Sequence, residues 1–180
     1  RMAMRLSYVK PDIARAKAAE AIAGGIITVN ADNAAMHAAE NRMTLIYNDW
    51  GDHRVGADII SYLDGYDDPR LEKMFLPNDV DDYVGIRIGI DVAGKSTAMS
   101  KYSNMIVASD TPYLWFNAAE ATFLHAEYEL RWGSAETAKT LYEQAVRLSF
   151  EERGASGADA YLVDATKKPA PYTDPLGNYS

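Results

Sequence analysis

From Thr111 to Gly154 the apolar positions recur at i, i+3 and i+4 on both sides of a single glycine, the period of two surface helices. Thr111 is a good N-cap and Pro112 suits the first helical position, so a helix is predicted from 112 to about Trp132. Phe116, Ala119, Phe123, Ala126 and Leu130 form its apolar stripe. Gly133 is expected to take the left-handed terminal position, with Ser134 capping a second helix that stops at Gly154. That helix carries Ala138, Leu141, Tyr142, Ala145 and Leu148 on one face. So short a join permits only an antiparallel hairpin with one seam, in which alanines let the backbones approach and Phe123 and Tyr142 fill the space between. Ala126, Gly133, Ala138, Tyr142 and Ala145 match small and aromatic positions of a tetratricopeptide unit, whereas Thr122, His125 and Glu129 depart from it.

The remaining pattern is less regular. Met2 to Tyr8 reads as the end of a helix, and Pro11 opens another that Gly24 and Gly25 stop. Ala14, Ala18 and Ala21 repeat the spacing of Ala138, Tyr142 and Ala145, which suggests the second helix of an earlier hairpin. Val29 to Asn33 is polar and turn-like; Ala34 to Asn41 is either a short helix or an ordered loop. Tyr47 to Arg54 is polar, aromatic and broken by glycine, the composition of a functional loop. Ala57 to Asp64 is a helix ended by Gly65, and Asp68-Pro69 starts a short one that dies at Pro77. Val84, Ile86, Ile88 and Ile90 alternate with Tyr83, Gly85, Arg87 and Gly89, which predicts a small strand. After Gly154 an extended tail is expected. The fold class is mainly α: tetratricopeptide-like helical hairpins (an α/α superhelix), a long loop-rich insertion and a minor β-strand or hairpin. A single domain is divided as residues 1–25 (hairpin piece), 26–110 (insertion), 111–154 (hairpin) and 155–180 (tail).

Composition narrows the function classes. A net charge of −8 without a cluster of Lys and Arg leaves no basic face for a nucleic acid. No apolar run approaches the ~18 residues of a membrane span. With no cysteine, disulfides, thiolate metal sites and thiol nucleophiles are excluded, and no cofactor is implied. The chain starts inside a helical pattern and stops in an irregular tail, so it is expected to be a piece of a longer protein.

Several segments together resemble the SusD/RagB family of outer-membrane nutrient-binding lipoproteins. They are Leu63 to Leu71 (Leu-Asp-Gly-Tyr-Asp-Asp-Pro-Arg-Leu) with Phe75, Tyr83 to Arg87, Pro112 to Glu129, Leu141 to Glu151, and Gly157 to Tyr161. The resemblance implies tetratricopeptide superhelices whose long loops hold a ligand site. It implies capture of an oligosaccharide or other nutrient at the cell surface, on a TonB-dependent transporter of the SusC type. It also places the protein on the outer membrane, held only through a lipid anchor outside this chain.

Five large aromatics, Tyr47, Trp50, Tyr62, Tyr66 and Tyr83, interleave with Asn48, Asp49, Asp52 and Arg54. Flat rings stack on the apolar faces of sugars while amides, carboxylates and guanidinium groups meet the hydroxyls. Trp50, Tyr47, Arg54, Asp52 and Tyr83 are therefore the glycan-binding candidates, although each ring could equally serve loop or core packing. Gly89 to Ser96 fits the phosphate-binding pattern G-x-x-x-x-G-K-S. Asp91 would set a carboxylate beside phosphates, β-branched Ile90 and Val92 resist the required backbone, and no βαβ series follows, so neither a nucleotide site nor a helix capped at Gly94 is expected. Asp79, Asp81 and Asp82 could hold Ca²⁺ but lack the glycine and terminal glutamate of a helix–loop–helix site, and they read as a charged turn. His37, Glu40, Asp49, Asp52 and His53 read as solvated side chains, and Glu120 and Glu127, with Arg131, as structural ion-pair groups. No nucleophile–base set can be assembled, so an enzyme is not expected. A tetratricopeptide-type protein–protein scaffold is the alternative to nutrient capture.

Overall fold

The computed structural model describes residues 1–164. The helices are α1 (Met2–Arg5), α2 (Pro11–Ala23), α3 (Ala57–Gly65), α4 (Leu71–Met74), α5 (Lys95–Lys101), α6 (Ala118–Trp132), α7 (Ala135–Glu152) and α8 (Ala158–Val163). The strands are β1 (Ala34–Met36), β2 (Phe75–Leu76), β3 (Asn104–Met105) and β4 (Tyr113–Phe116). The chain is mainly α, as its pattern predicts, and forms two compact units: residues 1–35 with 114–152, and 36–113 with 153–164.

In the first unit α6 and α7 form the expected hairpin. Phe123 and Tyr142 meet edge-on in its seam with ring centroids 5.6 Å apart. Ala118, Ala119, Ala126, Ala138 and Ala145 are buried, which permits the close approach. Thr122, at a position where a tetratricopeptide unit has a large apolar side chain, is buried because its hydroxyl donates to the Ala118 carbonyl at 2.7 Å. A 3₁₀ turn at Asn30–Asp32 is tied to both helices. Asn30 Nδ2 donates to the Leu148 carbonyl, and Asn33 Oδ1 accepts from the Ala118 N–H. The α1–α2 pair supplies the earlier hairpin piece, with Ala14 and Ala18 buried and Ala21 exposed. The Glu127–Arg131 pair forms at 2.8 Å, and Arg1 takes Glu120.

Several expectations need correction. The helix expected from 112 begins at Ala118, and Tyr113–Phe116 is β4, paired with β1. Asn117 accepts from the Glu120 N–H at 2.7 Å, an N-cap that overrides Thr111-Pro112, and so Phe116 lies outside the helix. Leu130, expected in the seam, is exposed. Gly133 is not left-handed (φ −121°, ψ −125°). The Glu129 side chain folds over it, and Glu129 Oε2 accepts from the Ser134 N–H at 3.1 Å. Residues 34–36 are strand, neither short helix nor loop, and the segment expected to be an extended tail contains α8. The rest of that tail, from residue 165, lies outside the described residues.

The second unit packs around Val55, Ile60, Leu63 and Phe75, with Leu71, Met74 and Tyr83 against them. Phe75 pairs with Met105 where β2 meets β3. The strand expected over 83–90 does not form. Val84 and Ile86 spend their backbone groups on Ser103, Val55 and Ala57, leaving one parallel bridge from Gly56 to Ile86. Gly85 is required there, since a side chain would collide with the backbone of Gly56 and Ala57. Beyond Ile86 no partner strand is found among the described residues: Gly89 turns at φ +77°, and Ile88 is 96% exposed.

Candidate functional site

Four of the five glycan-binding candidates lie on one loop of the second unit. Residues Leu45–Asp49 form a single π turn, closed by the Trp50 N–H on the Leu45 carbonyl at 2.6 Å and the Asp52 N–H on the Ile46 carbonyl at 3.0 Å. Such a turn widens the backbone and commonly marks a functional position. Trp50 leaves it 53% exposed, and Tyr47 is half-buried with its ring tilted toward His53.

Polar side chains fix the loop from beneath. Asn48 Nδ2 donates to the Val107 carbonyl at 3.2 Å, and Asn104 Nδ2 to the Tyr47 carbonyl at 3.1 Å. Arg54 Nη1 donates to the carbonyls of Tyr47 and His53 and to Asn104 Oδ1. Burial lowers the Arg54 pKa, and the charge of Asp79 offsets part of that. Arg54 is thus spent on the loop backbone rather than held out toward hydroxyls. Asp52 meets Lys95 Nζ at 2.6 Å.

Tyr83 lines a different feature, a cavity of about 560 Å³ shared with Asp67, Asp68, Leu71, Glu72, Tyr161 and Asp164. Its floor is an ion pair invisible in the sequence, because Asp68 and Arg70 lie only two residues apart. Arg70 Nε and its backbone N–H both reach Asp68 Oδ1 at 2.9 Å, and the Arg70 guanidinium sits 5.9 Å from the Tyr161 ring centre. Burial alone would push the Asp68 carboxyl up; the hydrogen bonds and charge of Arg70 outweigh it and hold the carboxyl below its usual range. Tyr161 and Asp164 belong to the segment read as plain tail, and only α8 brings them here.

The phosphate-loop match is corrected in one respect: a helix does start at Lys95, with Gly94 as its N-cap. No strand spans residues 77–94 before it, and the ammonium that would hold phosphate is paired with Asp52. Among the described residues no group of three His, Cys, Asp or Glu could hold a metal ion, and Asp79 to Asp82 form a turn capped by Asn78 Oδ1. Among them, too, no helix is long and apolar enough to cross a membrane.

The chain thus combines a tetratricopeptide-like helical hairpin with a loop-bearing unit that exposes a tryptophan on a hydrogen-bonded turn. The profile of the SusD-like family, described as SusD and RagB outer membrane lipoproteins, matches residues 1–180, and the chain belongs to that family. A SusD homologue from Bacteroides thetaiotaomicron VPI-5482 is 48% identical, with a TM-score of 0.86 over 99% of this chain and 39% of its own. A chitin-binding SusD homologue from Flavobacterium johnsoniae is 38% identical, with a TM-score of 0.85 over 97% of this chain and 38% of its own. A SusD homologue from Bacteroides uniformis ATCC 8492 is 36% identical, with a TM-score of 0.82 over 99% of this chain and 39% of its own. The chain therefore spans about two fifths of the length of these relatives. No curated protein matches it significantly.

Proposed function

We propose that the chain is part of a non-catalytic protein that captures a nutrient, an oligosaccharide before other classes, at the bacterial outer-membrane surface. It hands that nutrient to a SusC-like, TonB-dependent transporter, and a lipid anchor outside this chain holds the protein to the membrane. The observation that carries this reading is Trp50: a large ring 53% exposed on a loop whose backbone is hydrogen-bonded at Tyr47, Trp50 and Asp52 and which the Asn48 side chain ties to Val107. A stiff exposed ring stacks on a sugar at low entropic cost. Tyr47 supplies a second ring on the same turn, Arg54 and Asp52 hold the loop's shape, and Tyr83 contributes to a separate acidic and aromatic cavity. Family membership and the chitin-binding neighbour support a glycan ligand, with chitohexaose the first probe.

The scaffold alternative has one feature in its favour, an apolar groove of about 280 Å³ in the first unit lined by Ala18, Ile22, Ile27, Phe116 and Leu124 among others. A glycan array probed with the full-length protein separates the two. Retention of one oligosaccharide class supports capture; retention of none contradicts it.

A further inference from the structure

Helix α5 has no role in the proposal above, yet two contacts tie it to the tryptophan loop. Gly51, next to Trp50, is buried with φ +62°, and the Met99 side chain lies over it, so that a Cβ at Gly51 would come within 2.7 Å of Met99 Sδ. One turn earlier on the same helix, Lys95 meets the Asp52 carboxylate at 2.6 Å. The loop that carries Trp50 is thus held both by Arg54 and Asn104, at the Tyr47 carbonyl, and by α5, at Gly51 and Asp52.

We propose that Met99 and Lys95 are positioning residues: α5 buttresses the loop from residue 45 to 54 and holds Trp50 in one outward orientation. Met99 is the main wedge. Both partners of the ion pair are about half exposed, and exposed pairs of that kind contribute little. Met99 instead fills the space that the side-chain-free, left-handed Gly51 leaves, where the shape of the turn is set. This assigns the Gly94-Lys95-Ser96 match a structural use: Gly94 starts the helix and Lys95 faces a carboxylate of the protein itself. The inference rests on the reading of Trp50 as a ligand-facing ring.

The test uses the full-length protein and begins without ligand. In Met99→Ala the amides of Trp50 and Asp52, which close the turn, should exchange with deuterium about tenfold faster, while those of α3 keep their wild-type rates. Lys95→Ala should accelerate the same two amides by about threefold or less. Unchanged exchange at Trp50 and Asp52 in Met99→Ala overturns the buttress, as does acceleration spread evenly over the unit. A second arm titrates chitohexaose. Met99→Ala should weaken binding about fivefold when Trp50 is present and add nothing in the Trp50→Ala background, the mark of a residue acting through another. Additive losses overturn the positioning role. If Trp50→Ala binds as wild type while Met99→Ala still loosens the turn, the ligand-facing reading of Trp50 fails and the buttress stands as a fact of the loop alone.

Discussion

Asp68 shows how one side chain sets the shape of a cavity floor. It is 5% exposed, and its charge is offset by the Arg70 guanidinium and backbone N–H, with a further hydrogen bond from Tyr161. Asp68→Asn removes the carboxylate charge that Arg70 faces and should cost about 3 kcal/mol at neutral pH, measured by urea unfolding. The folded carboxyl titrates below its unfolded value of about 3.9, so its stabilisation is complete above that pH and lost as pH falls through the lower folded value. The gap between wild type and Asp68→Asn should therefore shrink toward pH 2; a gap independent of pH would contradict the assignment. The residue types of this site were legible in part. An isolated tryptophan among Asn48, Asp49, Gly51 and Asp52 has no apolar neighbours in sequence, and it is indeed exposed. Arg54 was not legible as a loop brace, because its partners are backbone carbonyls and Asn104, fifty positions on, and sequence composition carries no sign of either.

Among the elements, the α6–α7 hairpin was legible because capping, stripe and stop signals agree. Its start was misplaced because two caps compete. Asn117 followed three residues later by Glu120 beats Thr111-Pro112, and the aromatic Tyr113–Phe116 run fits a strand better than a helical turn. The seam nonetheless holds the expected rings. Phe123 is half-buried rather than fully buried, so Phe123→Ala should cost about 2 kcal/mol, below the range of about 3–5 for a fully enclosed ring. A loss within error in urea melts would mean that the edge-on contact with Tyr142 contributes nothing. The failed strand from residue 83 to 90 has a different cause. Alternation reports which face a strand would bury, not whether a partner exists, and beyond Ile86 none does among the described residues.

At the scale of the whole molecule, a motif match and a family match point to different functions, and the geometry at Lys95 bears on the motif match. A helix does follow Gly94, yet the preceding strand is missing and Lys95 faces Asp52, so calorimetry with Mg-ATP should show no saturable binding. Micromolar binding abolished by Lys95→Ala would reverse that conclusion. The family and the mainly α architecture were readable because several separated segments agree at once, which a single short pattern cannot match in specificity. The central claim is that Trp50 belongs to a glycan-capturing surface. Its most direct test is calorimetric titration of the full-length protein and of Trp50→Ala with the oligosaccharide that the array retains best, at matched melting temperature. Truncating a stacked ring should cost about 1–3 kcal/mol, a loss of roughly tenfold to a hundredfold in affinity. Undiminished affinity in a variant that melts like the wild type would contradict the account.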